Sequence, residues 1–469
     1  MSDAAATHTT GNGAAFADTP EYRANLLGGP MKLALLVGVG GLILWGVLAA
    51  IIYGSGTPAE RPDGAPGDQR VQEMFLSYLT GFTFWMIVGF GSVFFLCVQY
   101  VTGGRWGILL RRSLECNARN IYTAGFVLFI PVALAMAAGV NSPYWWARHD
   151  AEHGHSEAHK ETGEQTRASS AEGKSHSDVV RPDVNVDEEK KIRDWLNPPF
   201  AIVRGFVWIA IFSALVWWMR RNAKIAEESD DLAVAYAARN RQKYPASIGL
   251  FVFAIMMTMT ATDWVMSLEP TFASSMFPVI MFDNAAVCSY SIGLLLLLWL
   301  KRKGDARFQH LFPATEQIHL GSLLLAFTLA WTYFNFSQYM LIWIGNLPEE
   351  IPYYLKRTRE GWGWYAGLAV VIHFPIPFLL LLFRRIKSNP VALRNIALML
   401  ILIIFVDVMW WIAPSMTHES FPKFYWLMDV AATVGVGGLW VAAWMWHLKK
   451  QPLLPVREQY LLEAYHHGH

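Results

Sequence analysis

The 469-residue sequence is poor in charge. Asp, Glu, Lys and Arg make up 16% of it against 54% apolar residues, where a soluble globular chain carries about 25% charged residues. The deficit points to lipid as the solvent, and a net charge of +1 offers no basic surface to nucleic acid. Cysteine is as scarce. Cys97, Cys116 and Cys288 are scattered, with no C-x-x-C-H for covalent haem, no close set for an iron–sulfur cluster and no zinc spacing. The chain is therefore expected to hold no metal and no redox cofactor of its own. Also missing is a basic start ahead of a short apolar core, the mark of a cleaved signal peptide. Leu33 instead opens a run long enough to span, which reads as an uncleaved helix. Trp (21) and Tyr (17) are abundant, as the aromatic belts of a membrane protein require.

A bilayer core about 30 Å thick needs about 20 helical residues. Ten stretches qualify: Leu33–Tyr53, Met74–Val101, Asn120–Val140, Phe200–Met219, Ser247–Met266, Met276–Leu300, Leu320–Gly345, Gly363–Phe383, Leu393–Ile412 and Trp426–Trp446. Lipid leaves no partner for unpaired backbone groups, so each is expected to be a helix. The fold class is thus an all-α polytopic membrane protein.

Lys and Arg set the expected orientation. Counted over the short loops, the N-terminus, the even-numbered loops and the C-terminus hold about fourfold more of them than the odd loops. Arg111-Arg112, Arg220-Arg221, Lys301-Arg302-Lys303 and Arg384-Arg385 all fall on that side. Both termini are expected in the cytoplasm, with the chain in a bacterial inner membrane. Residues 1–30 read as a disordered tail, 31–73 as the first helix and an external loop, and 141–199 as the one long external loop. Its polar middle carries His149, His153, His155 and His159 near metal spacing, but no thiolate supports a site and a solvated loop is the better reading.

Two segments echo each other. Asp263-Trp-Val-Met-Ser-Leu-Glu-Pro270 ends the fifth helix and Asp407-Val-Met-Trp-Trp-Ile-Ala-Pro414 the ninth. The helix before each exits into Arg-Arg. The expected units are two four-helix bundles, 74–266 and 276–412, with the first helix and the last (426–469 including its tail) flanking them.

Ionisable groups inside a membrane cost about 2.5–3.5 kcal/mol each at the centre, which makes them functional candidates. Arg204, Asp263, Asp283 and Asp407 fall in the external half, Glu269 just outside it, and Glu349 and Glu350 at the external end of helix seven. His373 lies near midplane, while Glu316 and His319 open helix seven on the cytoplasmic side. Carboxylate and histidine chains of this kind serve proton relays. Arg204 is the charge partner expected for one of the Asp residues. A haem b is not expected, because His373 and His319 differ in depth by roughly 15 Å at 1.5 Å rise per residue.

Several longer motifs occur together: YLTGFTFW (Tyr78–Trp85), WLNPPFAIVR (Trp195–Arg204), ATDWVMSLEPTFASSMF (Ala261–Phe277), FSQYMLIWIGNLPEE (Phe336–Glu350), HFPIPF (His373–Phe378) and DVMWWIAP (Asp407–Pro414). From about Phe75 to Trp446 the chain resembles the ActF family, NrfD/PsrC-like membrane subunits of bacterial alternative complex III, a quinol:cytochrome c oxidoreductase. The resemblance implies two four-helix bundles with two flanking helices. It implies assembly with the sister NrfD-like subunit ActC, an iron–sulfur subunit, multihaem and monohaem cytochrome c subunits and other small membrane subunits, and it allows a terminal-oxidase supercomplex. Haem c and iron–sulfur clusters would then reside in the partners. This chain would supply a proton path, with room for a quinone or lipid niche but no redox centre. Two other readings compete: a quinol-oxidising NrfD-type anchor, and a solute transporter, which would favour helices broken at midplane.

Overall fold

The computed structural model describes residues 18–54, 68–148, 194–229, 231–269, 272–303, 306–348, 350–359, 361–415 and 425–454. Glu349, the four histidines from His149 to His159 and the first seventeen residues lie outside them. Among the described residues ten helices are long and apolar enough to cross a membrane. They are α1 (Pro20–Gly54), α2 (Gln69–Thr102), α3 (Arg111–Met136), α4 (Pro198–Glu228), α5 (Leu232–Trp264), α6 (Phe277–Arg302), α7 (Ala314–Gly345), α8 (Trp362–Leu382), α9 (Pro390–Ile412) and α10 (Tyr425–Lys449). The protein is an all-α polytopic membrane protein.

Helices α2–α5 pack as one four-helix unit and α6–α9 as a second, joined by α2 against α6. α2 and α6 are accordingly the most buried spans. At their crossing Gly91 admits the Ala285 carbonyl where any Cβ would collide with it. The flanking helices pair with each other: α1 lies along α10, and α10 rests on α2 and α3. Small residues allow that approach, since a Cβ on Gly41 would sit 2.7 Å from the Gly435 nitrogen.

Both ends of the described chain lie on one face. The Leu453 amide donates to Asp18 Oδ2 at 2.9 Å, and Arg220 Nη1 donates to Gln451 Oε1 at 2.9 Å. We call this the terminal face and its opposite the far face.

Helix starts follow local chemistry. Asn197 caps α4 by accepting from the Phe200 amide, and Asn389 caps α9 by accepting from Val391 and Ala392. Each is followed by a proline, which suits the first helical turn because its missing N–H is not needed there. Asp68 caps α2, and its hydrogen bonds from Arg70 hold its carboxyl below the usual carboxylate range.

Three helices start nine or more residues earlier than hydropathy predicts. α1 begins at Pro20, inside the segment expected as a disordered tail to residue 30, with Leu27 fully buried and Arg23 beside Asp18 at 3.6 Å. α5 begins at Leu232 rather than Ser247, extending a polar helical pair with α4 past the apolar stretch. α3 begins at Arg111 rather than Asn120 because its charges are matched internally. Glu115 accepts from Arg111, Arg112 and the Tyr100 hydroxyl, each at 2.8 Å, and Arg112 also meets Glu227 at 2.7 Å. Paired charges of this kind cost little to bury compared with lone ones, so the segment stays helical and packed. Within α3, Ile121–Gly125 forms one π-helical turn, next to the contact of Thr123 Oγ1 with His447 Nε2 at 3.1 Å.

Candidate proton-handling site

The two units carry the same construction with different chemistry. In each, the Asp on the fourth helix meets a basic side chain on the third: Asp263 on α5 meets Arg204 on α4, and Asp407 on α9 meets His373 on α8.

In the first unit the pair is locked. Arg204 Nε donates to Asp263 Oδ2 at 2.7 Å and Nη2 to Oδ1 at 2.8 Å. Trp195 Nε1 adds a bond to Oδ1 at 3.2 Å and Trp208 Nε1 one to Oδ2 at 2.9 Å. Four donors fill the lone pairs of both carboxylate oxygens. The guanidinium also lies over the rings of Trp195 (4.1 Å) and Phe200 (4.7 Å). An ion pair in this bidentate geometry is a structural fastening, since no lone pair is left for an incoming proton. Asp263 therefore does not share the environment of Asp407, although their sequence contexts match.

In the second unit all four helices converge on one polar cluster. Asp407 Oδ2 accepts from Trp331 Nε1 on α7 at 3.1 Å and from Asn284 Nδ2 on α6 at 3.3 Å. His373 Nδ1 approaches the same oxygen at 2.9 Å, off the line of an N–H···O bond, so the contact is one of proximity. The imidazole is fully buried and stacks on Trp331, ring centres 3.9 Å apart. Its Nε2 has no hydrogen-bond partner among the described residues, nor has either oxygen of Asp283, which is also fully buried. Buried polar atoms without partners are rare because desolvation goes uncompensated. Here the orphans belong to a carboxyl and an imidazole, two groups that bind or release a proton.

A break in α8 sets the direction of the histidine. The helix runs Trp362–His373, pauses at Phe374, and resumes at Pro375–Leu382. Pro375 and Pro377 have no N–H to return to Val371 and His373, so the backbone reorients where the imidazole turns into the bundle. The first unit has no such break: α4, the counterpart of α8, runs unbroken from Pro198 to Glu228.

The cluster lies in the far-face half. Asp283 is six residues from the far-face end of α6 and Asp407 five from that of α9, about 8–9 Å in at 1.5 Å per residue, with the His373 imidazole at the level of Asp407.

The remaining candidates do not join it. Glu316 and His319 sit together at the terminal-face start of α7, 3.7 Å apart, the histidine exposed and the glutamate half-buried. Glu350 precedes the short helix Ile351–Thr358. Glu269 is paired with Arg357 at 3.1 Å and with Lys356 at 3.5 Å. Burial lowers the Lys356 ammonium from its ordinary value against the pull of Glu269, and burial pushes the Tyr353 hydroxyl up to about 12.

Three contributors escape a reading of charge and hydropathy alone. Asn284 and Trp331 complete the Asp407 shell, and Trp208 that of Asp263. Trp208 follows Arg204 by one helical turn and so shares its face, a signal that was present. Trp331 and Asn284 carried none, being one more indole and one more amide in apolar runs.

No family model matches the chain, and no curated protein matches it.

Proposed function

We propose that this chain is an integral membrane subunit of a quinol:cytochrome c, or quinol:cupredoxin, oxidoreductase complex of the alternative complex III kind. It carries no redox centre and contributes a proton path through its second bundle. One observation supports the path: His373 on α8 and Asp407 on α9 meet at 2.9 Å in a buried site that holds no permanent cation among the described residues, with the buried carboxyl of Asp283 on α6 near enough to feel the charge of Asp407. A proton moved between carboxyl and imidazole needs groups that can change charge and lie within hydrogen-bond reach. The first bundle offers Arg204 in the place of the imidazole, and arginine does not deprotonate. Entry to the path from the far face requires crossing only about 8–9 Å of α6 and α9. A solute transporter is the weaker reading, since its broken helices are expected in corresponding positions of both repeats, and α4 is continuous.

The assignment to a complex rests on the motif resemblance. Its test is purification of the tagged chain from mild detergent. Haem c absorption and an iron–sulfur subunit are expected to accompany it, and the chain separated from them is expected to show neither haem nor iron–sulfur absorption. A chain that purifies alone, with no cytochrome in the eluate at any detergent strength, contradicts the assignment.

Orientation follows from the basic residues gathered on the terminal face. Alkaline phosphatase fused after His469 is expected to be inactive and green fluorescent protein at the same site bright. An active phosphatase reverses the orientation and moves the cluster to the cytoplasmic half.

A further inference from the structure

We infer that Arg357 is a positioning residue for Asp407, a clasp that fixes the far end of α9 and ties it to the loop leaving the first bundle. The inference rests on the reading of Asp407 as a proton-handling group.

Arg357 sits in the short helix Ile351–Thr358, yet it is fully buried and its donors are all engaged. Nε donates to the Trp410 carbonyl at 3.2 Å and Nη2 to the Trp411 carbonyl at 2.7 Å. Nη1 reaches the Tyr353 carbonyl at 3.2 Å and Glu269 Oε1 at 3.1 Å, and Nη2 also reaches Ser415 Oγ at 3.3 Å. The guanidinium lies 3.7 Å from the centre of the Tyr353 ring, which stacks on Phe272. In return, Trp410 Nε1 donates to the Arg357 carbonyl at 3.3 Å.

The last four carbonyls of a helix lack intrahelical donors, and a cation there also meets the negative end of the helix dipole. Trp410 and Trp411 belong to the last turn of α9, three and four residues after Asp407. Holding those two carbonyls in one planar fork sets the axial position and rotation of the turn that carries the carboxylate. Asp407 depends on that placement. Its bonds to Trp331 and Asn284 are already at 3.1 and 3.3 Å, and hydrogen bonds weaken steeply beyond this range. Lysine is no substitute, because a single ammonium cannot bridge two carbonyls and a carboxylate with a fixed fork. Lys356, next in the chain, already holds the Ser415 carbonyl at 2.6 Å. Glu269 ends the 3-10 turn Met266–Leu268 that follows α5, so the clasp joins the segments at the ends of both Asp-bearing helices.

The test uses the purified full-length protein in nanodiscs. The infrared carboxyl band that disappears in Asp407→Asn is titrated from pH 4 to 10 in the native protein, in Arg357→Lys and in Glu269→Gln. Amide exchange is followed in parallel. Arg357→Lys is expected to move the midpoint of that band by about one pH unit or more and to speed exchange over residues 405–412 about tenfold, with α6 unchanged. Glu269→Gln keeps the guanidinium on its carbonyls but loosens it, and a smaller change of both readings in the same sense is expected. If Arg357→Lys does not fold, Glu269→Gln alone decides. An unmoved midpoint overturns the inference, whether exchange stays native or rises evenly through all helices. If Asp407→Asn removes no titrating band, the proton reading of the site fails. Exchange at 405–412 then judges the clasp by itself, and native exchange there in Arg357→Lys overturns it.

Discussion

Asp407→Asn is expected to leave the assembly intact and to cut proton-coupled turnover by on the order of 10²-fold, the lower range of what a positioned acid–base group contributes. The amide keeps the shape and still accepts from Trp331, so the packing of α6–α9 has no reason to fail. What it removes is the proposed proton site beside His373. The sharper variant is His373→Arg, which gives the second unit the cation that the first already has. A guanidinium beside Asp407 would fasten it as Arg204 fastens Asp263, and the same loss is expected without loss of the complex. The measurement is quinol oxidation in membranes with proton release recorded beside it. Assembled Asp407→Asn and His373→Arg complexes that turn over and release protons normally would show the cluster to be structural. Asp263→Asn provides the contrast: it weakens the fold, and whatever complex survives is expected to remain coupled.

The second large effect concerns stability. Arg204→Met leaves the Asp263 carboxylate buried with only two indole donors. Breaking a buried pair from one side costs about 3–5 kcal/mol, whereas replacing both partners by neutral groups is often close to neutral. Arg204→Met is therefore expected to lose most of its folded yield and to unfold at markedly lower temperature in detergent. Arg204→Met combined with Asp263→Leu should recover much of the loss. Thermal unfolding followed by gel filtration reads both. Equal damage in the single and the double variant would mean that packing around Trp195 and Trp208, and not the buried charge, carries the effect.

These two experiments separate residues that the sequence presents as twins. Asp-x6-Pro at the ends of α5 and α9 reveals the repeat, because the spacing from a helix-end carboxylate to the proline is local and survives in one dimension. The partners are not local. Arg204 lies 59 residues from Asp263, and the Trp331 indole 76 from Asp407. Only the packing of α4 on α5, or of α7 and α8 on α9, decides which one arrives. The spans were legible for a related reason: lipid imposes length and apolarity on each helix separately. Helix ends were not, because a hydropathy window penalises Arg111, Arg112 and Glu115 one by one, whereas the folded chain packs them with Glu227 as a neutral set. Arg357 was hidden in the same way. As a charge in an external loop it looks solvated, and its value lies in carbonyls of a helix more than fifty residues away.

The pairing of α1 with α10 carries a consequence for biosynthesis. A chain threaded into the membrane from its N-terminus delivers α1 first and α10 last. Apart from the contact of Trp45 with Ser77 and Tyr78 on α2, the surface that α1 leans on does not exist until α10 has been made. Until then α1 waits in lipid with its glycine stripe uncovered, and the eight helices between can fold without it. Closure of these ten helices is a late event, the docking of the first described helix on the last. A chain cut short before residue 425 would have the cluster around Asp407 in place and α1 held by little more than Trp45 against α2.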